Sequence, residues 1–155
     1  MNKLHKSGVV ILDFGSQYTQ LIARRIREQN VYSEILPPET EFNEILCRKP
    51  AALILSGGPS SVYEKDAPDF DSHILYCEIP TLGICYGFHL LAQHQGGVVE
   101  STGHGEYGFA EITADNEMGL LSDISSPSKV WMSHGDRIKH LPEGWQTLAL
   151  SLIHI

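Results

Sequence analysis

The feature that most constrains this chain is the pentapeptide Gly83-Ile84-Cys85-Tyr86-Gly87, which sets a cysteine at the junction of an apolar run and a helical pattern. Pro80-Thr81-Leu82-Gly83-Ile84 reads as a short buried strand, and Tyr86 to Gln95, with Leu90, Leu91 and Ala92, reads as a helix stopped by Gly96-Gly97. Cys85 then falls in the turn between them. Flanking glycines permit a sharp, strained turn that lifts a nucleophile above the end of a sheet. The helix N-terminus beside the thiol carries partial positive charge, which favours the thiolate. The other reading of a lone cysteine, an inert buried thiol, stays open at this point.

The rest of the chain supplies the sheet. Val9-Val10-Ile11-Leu12 and Ala51 to Leu55 are apolar runs of the kind found in strands covered on both faces. Between them, Tyr18, Leu21, Ile22 and Ile26 repeat at helical spacing, with Ser16 as the expected N-cap and Asn30 near the end. Val31 to Leu36 reads as strand, Pro37-Pro38 as a break and Phe42 to Leu46 as a short helix. Alternating strands and helices predict a parallel sheet. After Gly97 the pattern shifts to strands at Val98-Val99-Glu100, Tyr107 to Thr113 and Val130-Trp131-Met132, which predicts a mixed or antiparallel portion.

With 155 residues, 42% hydrophobic and 19% charged, the chain has the composition of a soluble globular domain. A net charge of −8 and the lack of a basic stripe argue against a nucleic-acid partner. No apolar span is long enough for a membrane helix, and the start Met1-Asn2-Lys3-Leu4-His5-Lys6 has no signal-peptide core, so a cytoplasmic location is expected. Cys47, Cys77 and Cys85 are too few for a disulfide framework. The histidines are dispersed without metal-ligand spacing, so no metal is expected.

In an open α/β sheet, ligands collect beyond the carboxyl ends of the parallel strands. Here those ends carry Asp13-Phe14-Gly15-Ser16-Gln17, Ser56-Gly57-Gly58-Pro59-Ser60-Ser61 and Cys85, and Val130-Trp131-Met132 is expected to end in a loop at Ser133-His134-Gly135-Asp136. The Ser56-Gly57-Gly58-Pro59 turn lets backbone approach a ligand closely. One reading is an oxyanion hole in which the N–H groups of Gly58 and Tyr86 converge on a tetrahedral oxygen. A phosphate loop or a plain turn are the alternatives, although Pro59 removes a donor and no Lys-Ser/Thr follows.

Taken together, Asp13 to Glu28, the Ser56-Gly57-Gly58-Pro59 turn, Gly83 to Gly87, Glu106-Tyr107-Gly108 and Trp131 to Asp136 resemble the triad-type (class I) glutamine amidotransferase domains of the GMP synthetase family. The resemblance runs from about Val9 to Leu150. It implies an open, mainly parallel flavodoxin-like sheet with helices on both faces and a mixed or antiparallel extension. Residues 1–150 would form one partial amidotransferase domain, incomplete at its C-terminus, and residues 151–155 a tail outside the family.

The resemblance also implies the chemistry. Cys85 would attack the side-chain amide of glutamine, giving a γ-glutamyl thioester and ammonia, with Gly58 and Tyr86 as oxyanion donors and His89, Ser133, His134 and Gly135 contacting the substrate. The ammonia would pass to an ATP-pyrophosphatase synthetase domain or subunit that aminates adenylated XMP to GMP. ATP and Mg2+ are implied there, no cofactor is implied in this domain, and the full-length enzyme would be a possible homodimer.

Phe88-His89 stands where the family carries Met-Gln, and Gly105-Glu106-Tyr107-Gly108 lacks the family's arginine. The family's catalytic His and Glu lie in a Phe-His-Pro-Glu-like segment after Ser-His-Gly-Asp, which residues 1–155 do not contain. A fragment inactive by itself is therefore expected. The alternatives are the same domain from anthranilate, carbamoyl phosphate or CTP synthesis, or a noncatalytic flavodoxin-like binding module in which Cys85 is a redox-sensitive thiol.

Overall fold

Short apolar strands build a parallel sheet from Val9–Leu12 (β1), Ser33–Leu36 (β2), Ala52–Leu55 (β3) and Thr81–Gly83 (β4), in the order β2-β1-β3-β4. The computed structural model describes residues 8–114 and 119–151. The chain divides into two compact units at Gln95/Gly96. In the first unit, β1 runs in register with both neighbours, Leu12 facing Leu36 on one side and Leu55 on the other. Ile11, Leu12, Leu53 and Leu55 are wholly buried, which is why these strands are apolar on both faces.

The helices are Thr19–Glu28 (α1), Phe42–Cys47 (α2) and Tyr86–His94 (α3). The first carries the chain outward from β1 to β2, and the second carries it back past β1 to β3. Because such crossovers are right-handed, these opposite senses place α1 and α2 on opposite faces of the sheet. The strand order reverses beside β1, so the ends of β1 and β3 border the crevice where α/β sheets bind ligands.

Two local features differ from the sequence expectation. Ser16 is not the N-cap of α1: Tyr18 holds that position without a side-chain bond, and the Ser16 hydroxyl accepts the Tyr18 N–H at 3.1 Å, closing a turn before the helix begins. Asp13 braces the same turn, its Oδ1 accepting the Thr19 hydroxyl at 2.7 Å and the Gly15 N–H at 3.0 Å. The second feature is a 3-10 turn over Ser72–Tyr76, which no periodicity announced. Asp71 starts it and also reaches α2, accepting the Phe42 N–H at 2.9 Å and the His73 N–H at 3.0 Å. These backbone donors, with the His73 ring, pull the Asp71 carboxyl down to a pKa of about 2.

The second unit is antiparallel, with Val98–Ala114 (β5), Ser128–His140 (β6) and Ala149–Ser151 (β7) in the order β6-β5-β7. The expected strands at Val98-Val99-Glu100 and Tyr107 to Thr113 are parts of one long β5, interrupted by a register shift between Ser101 and Glu106. Ser133-His134-Gly135-Asp136 is a correction: it is not a loop after a strand but lies inside β6, with Ser133 opposite Tyr107 and Asp136 opposite Ser101. Pairing with β5 overrides the turn preference of Ser, Gly and Asp, and side-chain burial alternates along this stretch as a strand requires. Ser151, placed by the sequence at the start of a tail, pairs with Ile112, while residues 152–155 lie outside the described residues. The N-terminal residues 1–7 and the side chains of 102–106, including Glu106, also lie outside them.

Candidate active site

Cys85 has φ 49° and ψ −111°, a conformation that a side-chain-bearing residue rarely adopts. The surrounding backbone bonds over-determine it. Ile84 N–H donates to Leu55 O at 2.9 Å, Gly87 N–H is shared between Ile84 O at 3.1 Å and Ser56 O at 3.0 Å, and His89 N–H closes the first turn of α3 onto Cys85 O at 3.0 Å. The flanking glycines are required by contact. A Cβ on Gly87 would lie 2.4 Å from Leu55 O, and one on Gly83 would lie 2.6 Å from Phe88 Cα. The helix therefore starts directly over the strand ends with its thiol-bearing residue at the N-terminus, the arrangement of a strained nucleophile elbow.

The Ser56-Gly57-Gly58-Pro59 turn is packed against this elbow, a Cβ on Gly57 falling 3.4 Å from the Cys85 Cβ. Ser56 is fully buried. Its N–H donates to Leu12 O at 3.0 Å, and its hydroxyl accepts the Phe14 N–H at 3.0 Å and donates to Gly57 O at 2.9 Å. Ser56 thus joins the ends of β1 and β3 to the start of α3. Sequence reasoning placed this serine in a turn and gave it no role. The available signal was a hydroxyl set between an apolar strand and a Gly-Gly pair. Gly58 backs onto the β1 loop so closely that a Cβ would meet Phe14 O at 2.4 Å.

Tyr86 is buried, its ring tilted against Phe14 at 5.5 Å between centroids and its hydroxyl donating to Pro68 O at 2.5 Å. Burial, then the nearby carboxylates of Asp69 and Glu64, pushes its phenol up to about 12. His89, also buried, lies one helical turn beyond Cys85 on α3. Ser133, His134 and Gly135 belong to the second unit, on β6, where His134 Nδ1 lies 3.1 Å from Asp136 O and Asp136 is buried. The other thiols lack an elbow: Cys47 is exposed at the end of α2, and Cys77 donates to Ile74 O at 3.0 Å. Among the described residues no group of His, Cys, Asp and Glu could hold a metal ion, and no helix is long and apolar enough to cross a membrane.

A family model for glutamine amidotransferase class-I matches residues 10–154. This chain belongs to the class-I glutamine amidotransferase family. The amidotransferase is 49% identical over 148 residues to a GMP synthase [glutamine-hydrolyzing] of Campylobacter lari, a match that covers 96% of this chain and 29% of that protein. Proteins of the same name from Corynebacterium diphtheriae and Brachyspira hyodysenteriae are 51% and 53% identical, covering 92% and 91% of this chain. The chain spans under a third of the length of these relatives, 27% in each of the latter two. Among solved structures, a GMP synthase subunit protein from Thermoplasma acidophilum superposes with a TM-score of 0.82 at 27% identity, covering 94% of this chain and 73% of that one. A glutamine amidotransferase from Thermotoga maritima shares the fold, with a TM-score of 0.72, 23% identity and coverage of 94% and 67%.

Proposed function

We propose that this chain is the glutamine-hydrolysing part of a GMP synthase and that Cys85 is its nucleophile. The observation that carries the reading is Cys85 itself, held at φ 49° on the N-terminus of α3 with the Gly57 backbone against it. The Cys85 sulfur attacks the carbonyl carbon of the glutamine side chain, and the carbonyl electrons move onto oxygen, facing the N–H groups of Gly58 and Tyr86. As the tetrahedral adduct collapses, the C–N bond breaks and the nitrogen leaves as ammonia with a proton taken from the thiol. Water then adds to the γ-glutamyl thioester, releasing glutamate and restoring the thiol.

The proton carrier is assigned by resemblance to a histidine in a Phe-His-Pro-Glu-like segment, which residues 1–155 do not contain. His89, Ser133, His134 and Gly135 are proposed glutamine contacts on the same resemblance. The identity of about half over more than nine-tenths of this chain supports a GMP synthase context over the anthranilate, carbamoyl phosphate or CTP pathways. In that context the ammonia passes to an ATP-pyrophosphatase synthetase domain or subunit, where ATP and Mg2+ drive amination of XMP. The amidotransferase part needs no cofactor of its own, the assembled enzyme is a cytoplasmic homodimer, and nucleic acid and membrane are not partners.

A glutamine-mimicking electrophile tests the reading. Peptide mapping should find the label on Cys85, glutamine should protect it, and Cys85→Ser should take up none. Labelling spread over Cys47 and Cys77, or unaffected by glutamine, would favour the redox-thiol module.

A further inference from the structure

Tyr86 is fixed at three points. Its backbone starts α3 beside Cys85, its ring rests on Phe14, and its hydroxyl reaches Pro68 O at 2.5 Å. Pro68 lies in the loop that runs from the Ser56-Gly57-Gly58-Pro59 turn to the 3-10 turn at Ser72, and the stretch of it from Tyr63 to Asp66 faces solvent. The stretch between Gly58 and Pro68 is therefore held at both of these points, Gly58 backing onto the Phe14 carbonyl and Pro68 accepting from Tyr86. A second tie lies further along α3, where His94 Nε2 meets Asp69 Oδ1 at 2.9 Å and the His94 ring packs on buried Phe70 at 4.8 Å.

Resting on the assignment of Cys85 as nucleophile, we propose that the Tyr86 hydroxyl is a positioning group for glutamine hydrolysis: its bond to Pro68 fixes the residue whose N–H faces the tetrahedral oxygen and holds the loop 59–68 to the elbow. The physical reason is preorganisation. An oxyanion donor is effective only when already aimed at the place where charge develops, and a residue locked through backbone, ring and hydroxyl cannot swing its peptide away. Burial beside the Asp69 and Glu64 carboxylates keeps the phenol protonated across the neutral range, so the donor persists. The two ties on α3 then have different duties. Tyr86 acts at the elbow, whereas His94, two turns away, orders the loop alone.

The test uses the full-length enzyme and the Tyr86→Phe variant, which keeps the ring and the backbone N–H. The expected result is a kcat for ammonia release lowered roughly two- to tenfold, the effect of one neutral hydrogen bond, with KM for glutamine changed much less. Trypsin should also cut faster after Lys65. His94→Ala should speed the same cleavage and leave kcat unchanged. Should Tyr86→Phe not fold, replacing Tyr86 by p-aminophenylalanine and by p-fluorophenylalanine gives the comparison at constant ring size, with only the former expected to retain kcat. An unchanged kcat without the donor, or an equal fall in His94→Ala, would overturn the positioning role. Cys85→Ser is run alongside: if it hydrolyses glutamine as well as the parent does, the nucleophile assignment itself has failed.

Discussion

The Gly87 N–H donates to the Ser56 carbonyl oxygen at 3.0 Å, which hangs the first turn of α3 on the end of β3. Ser56 in turn holds β1 through Leu12 O and Phe14 N–H, so three segments distant in sequence meet at one buried serine. The strain at Cys85 persists because its neighbours on both sides are bonded to this frame.

Gly87→Ala and Gly96→Ala should separate contact from conformation. A Cβ on Gly87 drives into Leu55 backbone at 2.4 Å, while one on Gly96 meets nothing within 4 Å but must adopt φ 88°. Denaturant midpoints should place the Gly96 variant about 1 kcal/mol below the parent, and the Gly87 variant lower by about 2 kcal/mol or more. Equal losses would mean that the elbow yields more readily than its contacts indicate.

Gly58 and Gly57 answer different questions. A Cβ on Gly58 would meet Phe14 O at 2.4 Å, so Gly58→Val is expected to lower stability and is no clean probe of the oxyanion donor. Gly57→Ala, with its Cβ 3.4 Å from that of Cys85, should fold and crowd the thiol. In the parent, limiting iodoacetamide followed by mass spectrometry should find Cys85 modified before exposed Cys47 and hydrogen-bonded Cys77, because Cys85 begins a helix. Gly57→Ala should slow that labelling selectively; an unchanged rate would place the thiol away from the turn.

The parallel sheet was legible because Val9–Leu12 and Ala52–Leu55 are buried on both faces and so carry an uninterrupted apolar signal. The elbow was legible because Gly83 and Gly87 are demanded by backbone contact, a constraint that few residue types satisfy. What escaped depends on pairing over distance. Ser133-His134-Gly135-Asp136 reads as a turn locally, and only β5 makes it strand. Ser56 and Asp71 act through partners 42 and 29 residues away, at Phe14 and Phe42, where no local spacing points.

Asp71 should register in the acid limb of stability. Its carboxyl, held at about 2 in the folded chain by the Phe42 and His73 N–H groups, returns to 3.8 when those partners are lost. A depressed folded value means the contribution is full above about pH 4 and disappears as pH falls toward 2. Asp71→Asn should therefore be less stable than the parent at pH 6 and converge with it near pH 2 in urea titrations. A constant gap across that range would show that the carboxylate charge is irrelevant and that only its shape matters.

A polypeptide of residues 1–155 should release ammonia from glutamine far more slowly than a full-length relative such as the Campylobacter lari enzyme, although it carries Cys85. The argument is about protons. Attack by the thiol needs a group to take its proton and return it to the departing nitrogen, a service worth about a hundred- to ten-thousandfold in rate. The resemblance assigns that service to a Phe-His-Pro-Glu-like segment absent from these residues. Of the histidines whose side chains are described, His89 is buried on α3, His94 is bonded to Asp69, His73 to Asp71, His134 contacts Asp136 O, and His140 is exposed at the end of β6. The measurement is steady-state ammonia release by the purified polypeptide, with folding verified by the denaturant midpoint. Turnover within about tenfold of the full-length relative would contradict the assignment, since it exceeds what a site lacking its general base delivers, and His89→Ala and His134→Ala would then identify which imidazole had been serving.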